Sequence, residues 1–213
     1  MGNYFTFKTA IDILGLDWND VAPGGVYNVT GAGYFDMGYM ANHIGPPASA
    51  LKAFHEASTS EMLRIYPPDC LPELKKLVAE KKFGRSLGPD FEVMGVEGAQ
   101  GGIGYTYLTF LDEGDEVIVT DPGYFHFVPA AEACGAQIVP IELNASNGYK
   151  LQPLEVEAAI TERTKMIVVC DPINPFGTVQ TREELLVIAD IARRRDIVIF
   201  NNITHNTHQT DPS

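Results

Sequence analysis

The sequence predicts a three-layer α/β/α fold built on a mostly parallel sheet, and three observations carry that expectation. Short apolar runs alternate with stretches of helical spacing along most of the chain. Two of the runs, Met166–Cys170 (MIVVC) and Asp196–Phe200 (DIVIF), are almost unbroken in Val and Ile, the pattern of strands covered on both faces. Strand–helix alternation implies right-handed crossovers, which place helices on both sides of a parallel sheet.

In chain order the expected strands are Glu92–Val96, Glu116–Thr120, Gln137–Ile141, Met166–Cys170 and Asp196–Phe200. The intervening helices are expected at about 100–111, 125–134, 153–161 and 181–194. Upstream, Ala50–Ser58 (ALKAFHEAS) has helical spacing. Leu71–Phe83 (LPELKKLVAEKKF) is a stronger helix, with Pro72 and Glu73 suited to its first turn. Residues 1–47 are rich in Gly, Tyr and Pro, lack clear periodicity and end in Gly45-Pro46-Pro47. They read as an N-terminal arm, with the main domain over 48–213.

Composition narrows the function. The 213 residues carry a net charge of −13, which argues against nucleic acid, because tracking phosphates needs clustered Lys and Arg. No run approaches the ~20 apolar residues of a membrane span. The N-terminus MGNYFTFKTAIDILG lacks a basic region followed by a long apolar run, so the expected setting is the cytosol. Cys70, Cys134 and Cys170 fit neither a disulfide framework nor a zinc site. His205 and His208 are three apart, without further ligands in register, and no metal is expected.

Ligands of open parallel sheets bind beyond the carboxyl ends of the strands, so the residues following each strand carry the chemistry. After the first comes Gly98-Ala99-Gln100-Gly101-Gly102, opening a helix. Small residues there let backbone N–H groups approach an anion, although a tight turn alone explains the glycines as well. After the second comes Asp121-Pro122-Gly123-Tyr124-Phe125-His126-Phe127, where an aromatic ring can lie against a planar ligand or fill the core. After the fourth, Asp171-Pro172-Ile173-Asn174-Pro175-Phe176-Gly177 is a punctuated turn that aims one amide. The fifth leads into Asn201-Asn202-Ile203-Thr204-His205.

Together these segments resemble the class I/II aminotransferases, fold-type-I enzymes that use pyridoxal 5'-phosphate. The resemblance runs from about Gly45 to the C-terminus. It rests on Tyr66 followed by Leu71-Pro72-Glu73-Leu74-Lys75, on Gly98-Ala99-Gln100, on Gly114-Asp115-Glu116-Val117 with Asp121-Pro122-Gly123-Tyr124, and most sharply on Asp171-Pro172-Ile173-Asn174-Pro175-Phe176-Gly177. It implies that Gly98, Ala99 and Gln100 hold the cofactor phosphate, that Tyr124 stacks on its ring and that Asn174 bonds its phenolic oxygen. Tyr66 would reach the phosphate of a partner subunit in a homodimer, and Gly45 and Asn174 would contact the substrate. Residues 1–47 become an arm or small-domain segment, and 48–213 a partial cofactor-binding large domain, incomplete at its C-terminus. The implied reaction moves an amino group between an amino acid and a 2-oxo acid.

Two departures stand out. The family's spacing from Asn174 puts Asn202 where an Asp pairs with the pyridine nitrogen, and His205 where a Tyr contacts the phenolic oxygen. A neutral Asn cannot hold a pyridinium as a charge pair. The family's Schiff-base lysine belongs further along than Ser213, and no lysine present matches its motif. The chain by itself is therefore expected to be inactive, with its catalytic residue unassigned. A lyase, decarboxylase or oxidase-like relative, and a non-catalytic binding protein on the same fold, remain as alternatives.

Overall fold

A computed structural model describes residues 46–66 and 71–205. All of the expected arm before Pro46, Gly45 included, therefore lies outside the described residues. The chain divides into two compact units, Met1–Pro68 and Asp69–Ser213. In the first, α1 (Ala48–Ala57) and α2 (Ser60–Leu63) bury no residue, and the Thr59 hydroxyl caps α2 by accepting from the Met62 N–H at 3.2 Å.

The second unit begins with α3 (Pro72–Phe83), which has proline in its first turn and stops at Gly84 with φ 60°. There follow α4 (Gly98–Phe110), β1 (Glu116–Asp121), α5 (Phe127–Ala133), β2 (Gln137–Glu142), α6 (Pro153–Ala159), β3 (Thr164–Cys170), α7 (Arg182–Arg195) and β4 (Val198–Asn202). The four strands are all parallel, in the order β2-β1-β3-β4. Side chains alternate across the sheet, so its two faces build separate cores. On one face Ile103, Tyr107, Phe127 and Ala131 of α4 and α5 pack on Val117, Val119, Met166 and Val168. On the other, Leu151, Val156, Ile188 and Ala192 pack on Ile118, Ile167 and Val169. The three-layer expectation holds.

One expected strand is absent and the last one is shifted. Glu92–Val96 forms no strand; its neighbourhood has only an isolated antiparallel bridge between Gly88 and Phe91. A strand exists through its ladder partners, and none of the four strands neighbours this segment. Met94 and Val96 are exposed as a result. The last strand starts at Val198 instead of Asp196 because Asp196 ends α7 with φ 55°, and the Ile197 N–H turns back to the Ala192 carbonyl at 2.9 Å. The shift carries the strand through Asn202.

The two sheet edges differ. At β2, which pairs only with β1, Pro140 occupies a place that a central strand would refuse. The outer edge of β4 has no partner strand among the described residues.

Two side chains within this frame give stability tests. Tyr107 is fully buried, and its hydroxyl has no hydrogen-bond partner among the described residues. Burial raises its pKa far above the usual phenol range, and a buried unpaired hydroxyl costs about 1–3 kcal/mol. Tyr107→Phe should therefore stabilise the chain by about 1 kcal/mol in denaturant titration; a clear loss would show that the hydroxyl is satisfied.

Glu116 is 4% exposed and opens β1, accepting from the Thr161 hydroxyl at 2.5 Å and pairing with Arg163. The Thr161 bond, and then the Arg163 guanidinium, hold its carboxyl below the ordinary value of 4.5 despite burial. A depressed carboxylate contributes its stability in full above the unfolded value and loses it as pH falls through the lowered folded value. Wild-type melting temperature should thus drop with acid below about pH 4.5. Glu116→Gln should melt lower at neutral pH and show a shallower acid limb. An unchanged acid limb would remove Glu116 from the titration.

Candidate active site

The carboxyl ends of three neighbouring strands lie along one edge of the sheet. Val169 pairs with Asn201 and Cys170 with Asn202, so β3 and β4 end level, while β1 flanks β3 on its other side. Tyr124, Asn174, Asn202 and His205 all lie at or just beyond these ends. The parallel sheet thus brings to one edge residues that are far apart in sequence.

The first group is the N-terminus of α4. Gly98, with φ 69°, turns the chain into the helix, and its N–H closes back on the Val96 carbonyl at 2.9 Å. No side chain caps the first turn. Glu97, the residue placed to do so, instead accepts from the Tyr105 hydroxyl at 3.0 Å. The Ala99 and Gln100 N–H groups are left as exposed donors at a helix N-terminus, where the helix dipole also favours an anion.

The Gln100 side chain connects this terminus to the turn after β1. Its amide meets His126 Nε2 at 2.5 Å. In that turn Gly123 is required, since a Cβ would sit 2.4 Å from the Thr120 carbonyl oxygen. Tyr124 follows, half-buried, with ring centroids of Phe125, His126 and Phe127 at 5.0, 5.3 and 5.4 Å. Phe127 takes the core position, and Tyr124 lines a depression of about 360 Å³ with Thr120, Asp121, Gly123 and Phe125.

The loop after β3 is held from below. Ile173 is buried; its N–H donates to the Thr178 carbonyl at 2.8 Å, and its own carbonyl accepts from the Gly177 N–H at 2.6 Å. This closed loop carries Asn174, which is half-buried. The Asp171 N–H donates to the Asn202 carbonyl at 3.0 Å, and its carboxylate accepts from the Gln180 N–H at 2.9 Å. Burial pushes the Asp171 carboxyl up, and the Gln180 bond opposes the push. The Gln180 side chain bonds both backbone groups of Leu151, donating at 2.7 Å and accepting at 3.2 Å. This buried amide ties the loop to the entry of α6.

At the end of β4 the Asn202 Oδ1 accepts from the Thr204 N–H at 3.0 Å and from the Thr204 hydroxyl at 2.5 Å. The Asn202 amine nitrogen is left with no partner among the described residues. His205 is half-buried just beyond. Tyr66 belongs to the first unit and is fully exposed, and Gly45 is outside the described residues. Among the described residues no group of three or more His, Cys, Asp and Glu is placed to hold a metal.

Sequence reasoning missed His126, Gln180 and Thr204 as supports. His126 lay inside the Asp121–Phe127 segment and had a weak signal. Thr204 likewise lay inside the Asn201–His205 segment, and Gln180 had no signal, because its role arises from contacts that spacing does not encode. The arrangement offers backbone donors for an anion, a half-buried aromatic ring and two half-buried amides, and this set suits a planar ring carrying a phosphate. Lys150, before α6, is paired with Glu184 at 2.6 Å.

Residues 33–209 match the model of the family "Aminotransferase class I and II". The chain is 31% identical over 182 residues to kynurenine–oxoglutarate transaminase 1 of Mus musculus, covering 78% of this chain and 43% of that protein. It is 32% identical over 157 residues to aspartate aminotransferase of Geobacillus stearothermophilus, covering 72% and 39%. Among solved structures it resembles N-succinyldiaminopimelate aminotransferase from Mycobacterium tuberculosis, with a TM-score of 0.67 and 28% identity over 74% of this chain and 42% of that one. The chain spans less than half the length of these relatives. With the family model matching most of its residues, the chain belongs to the class I and II aminotransferases.

Proposed function

We propose that this chain forms the cofactor-holding part of a pyridoxal-phosphate aminotransferase, which moves an amino group from an amino acid to a 2-oxo acid. Members of the family use pyridoxal phosphate. The observation that carries the reading is the uncapped first turn of α4, tied through Gln100 and His126 to the Tyr124 turn. It links the exposed N–H donors of that turn to the segment that carries Tyr124.

In this reading the Ala99 and Gln100 N–H groups hold the phosphate, and Gly98 sets the helix entry that exposes them. Tyr124 supports the ring, Asn174 and His205 address the phenolic oxygen, and Asn202 addresses the pyridine nitrogen. When bound, the cofactor supplies an electron sink for the negative charge left at the amino acid's α-carbon after proton removal. Tyr66 would serve the phosphate of a neighbouring subunit in a cytosolic homodimer, and Gly45 and Asn174 the substrate. Asn202, a neutral amide where the family carries an acid, favours a second reading, a lyase, decarboxylase or oxidase-like reaction on the same cofactor. Carbon dioxide release from the amino acid without transfer to a 2-oxo acid would select a decarboxylase.

Binding tests the proposal directly. The chain should bind pyridoxal phosphate more tightly than pyridoxal, because the α4 donors address only the phosphate. Ala99→Pro deletes one donor where a helix tolerates proline, and should cost about tenfold for the phosphate form alone. Tyr124→Ala should weaken both ligands, by roughly tenfold at most. Equal affinity for pyridoxal and pyridoxal phosphate in equilibrium dialysis would refute the α4 phosphate site. Borohydride treatment should leave no adduct on any single lysine of this chain. A stoichiometric one, seen by mass spectrometry, would replace the non-covalent site with a covalent one.

A further inference from the structure

Asn202 closes β4 level with Cys170, at the sheet edge that carries Tyr124 and Asn174. Its side chain has two chemically different ends, an oxygen that accepts and an amine that donates. Which end is available decides the protonation state of a ring nitrogen placed against it. The Thr204 backbone N–H lies 3.0 Å from one end of the Asn202 amide. A backbone N–H has only a proton to give, so the atom facing it is the oxygen, which settles the orientation of the amide. The Thr204 hydroxyl donates to the same oxygen at 2.5 Å. Both bonds arise from one residue, and together they occupy the acceptor end.

We propose, on the footing of the cofactor reading above, that Thr204 is a positioning residue that locks Asn202 with its amine outward, so that the site selects the unprotonated form of the pyridine nitrogen. The Asn202 amine donates to the nitrogen lone pair. A protonated nitrogen would meet another donor, with no acceptor to receive its proton. The chain therefore holds the ring as a weaker electron sink than an Asp at this position would. Asn202 alone does not dictate this, because a free amide rotates to offer its oxygen; Thr204 removes that option.

The test uses the full 213-residue chain with two ligands, pyridoxal phosphate and its N-methylpyridinium derivative, which carries a fixed positive charge and no lone pair. Wild type should bind the parent about tenfold more tightly, the worth of one hydrogen bond against none. Thr204→Val, which keeps the shape and removes the hydroxyl, should narrow that ratio to about threefold or less, and Thr204→Ser should restore it. Asn202→Asp should reverse the preference toward the N-methyl ligand. The 15N resonance of ring-labelled cofactor bound to wild type should remain at the unprotonated position through neutral pH. Should Thr204→Val melt early, the Thr204→Ser and Asn202→Asp arms still decide the matter.

The outcomes separate cleanly. Equal binding of both ligands by wild type, or a protonated 15N signal, overturns the Thr204 lock and leaves the cofactor reading intact. A ratio unchanged in Thr204→Val and in Asn202→Asp also overturns it. Failure of both ligands to bind overturns the cofactor reading, and this inference with it.

Discussion

The β1–β3 pair, buried on both faces, is the constraint on which the rest of the second unit depends. Val117, Ile118, Val119 and Met166 to Val169 are at most 2% exposed. Burying each such side chain contributes about 1.5–3 kcal/mol relative to leaving it in water. Two apolar faces cannot be covered from one side, so helices must lie on both, and only crossover connections put them there. Crossovers make the strands parallel, and parallel strands end at the same edge. The site is a consequence of that geometry: Tyr124, Asn174 and Asn202 are neighbours of a common edge because the strands before them were buried together.

The polar groups near that edge are held by a small number of directed bonds. Gln180 satisfies both backbone groups of Leu151 while its own N–H holds the Asp171 carboxylate. Asp171 in turn bonds the end of β4. The chain of contacts runs from the entry of α6 through the loop that carries Asn174 to the strand that carries Asn202. Networks of this kind are costly to leave half-made in a low-dielectric interior, so a fully satisfied one restricts its loops to a single arrangement.

The charge of the whole chain and the character of the site point in different directions. The chain is strongly acidic at −13, yet the first turn of α4 presents exposed backbone N–H donors with no side-chain cap. A helix N-terminus concentrates partial positive charge without any Lys or Arg, which lets an acidic protein keep an anion site. Asn202 at the end of β4 is likewise a neutral amide, and Thr204 fixes its oxygen.

Much of the fold was legible before any coordinates. Unbroken Val/Ile runs can be buried only on two faces, and the glycine, proline and asparagine clusters mark where each strand must stop. The resemblance of Asp171–Gly177 and Gly98–Gln100 to family motifs pointed to the carboxyl ends of the strands as the candidate site. Local pattern failed where a partner decided the outcome. Glu92–Val96 has a strand's composition and no neighbouring strand to pair with, while Asp196 has a strand's neighbours and is taken by the end of α7. The sequence by itself determined the layers, four of the five expected strands and the residue types available at the edge, because these follow from periodicity and residue type. Only the tertiary structure decided that His126 holds Gln100, that Gln180 supports the Asn174 loop and that Thr204 turns the Asn202 amide, because a hydrogen bond depends on distance and direction that spacing along the chain does not encode.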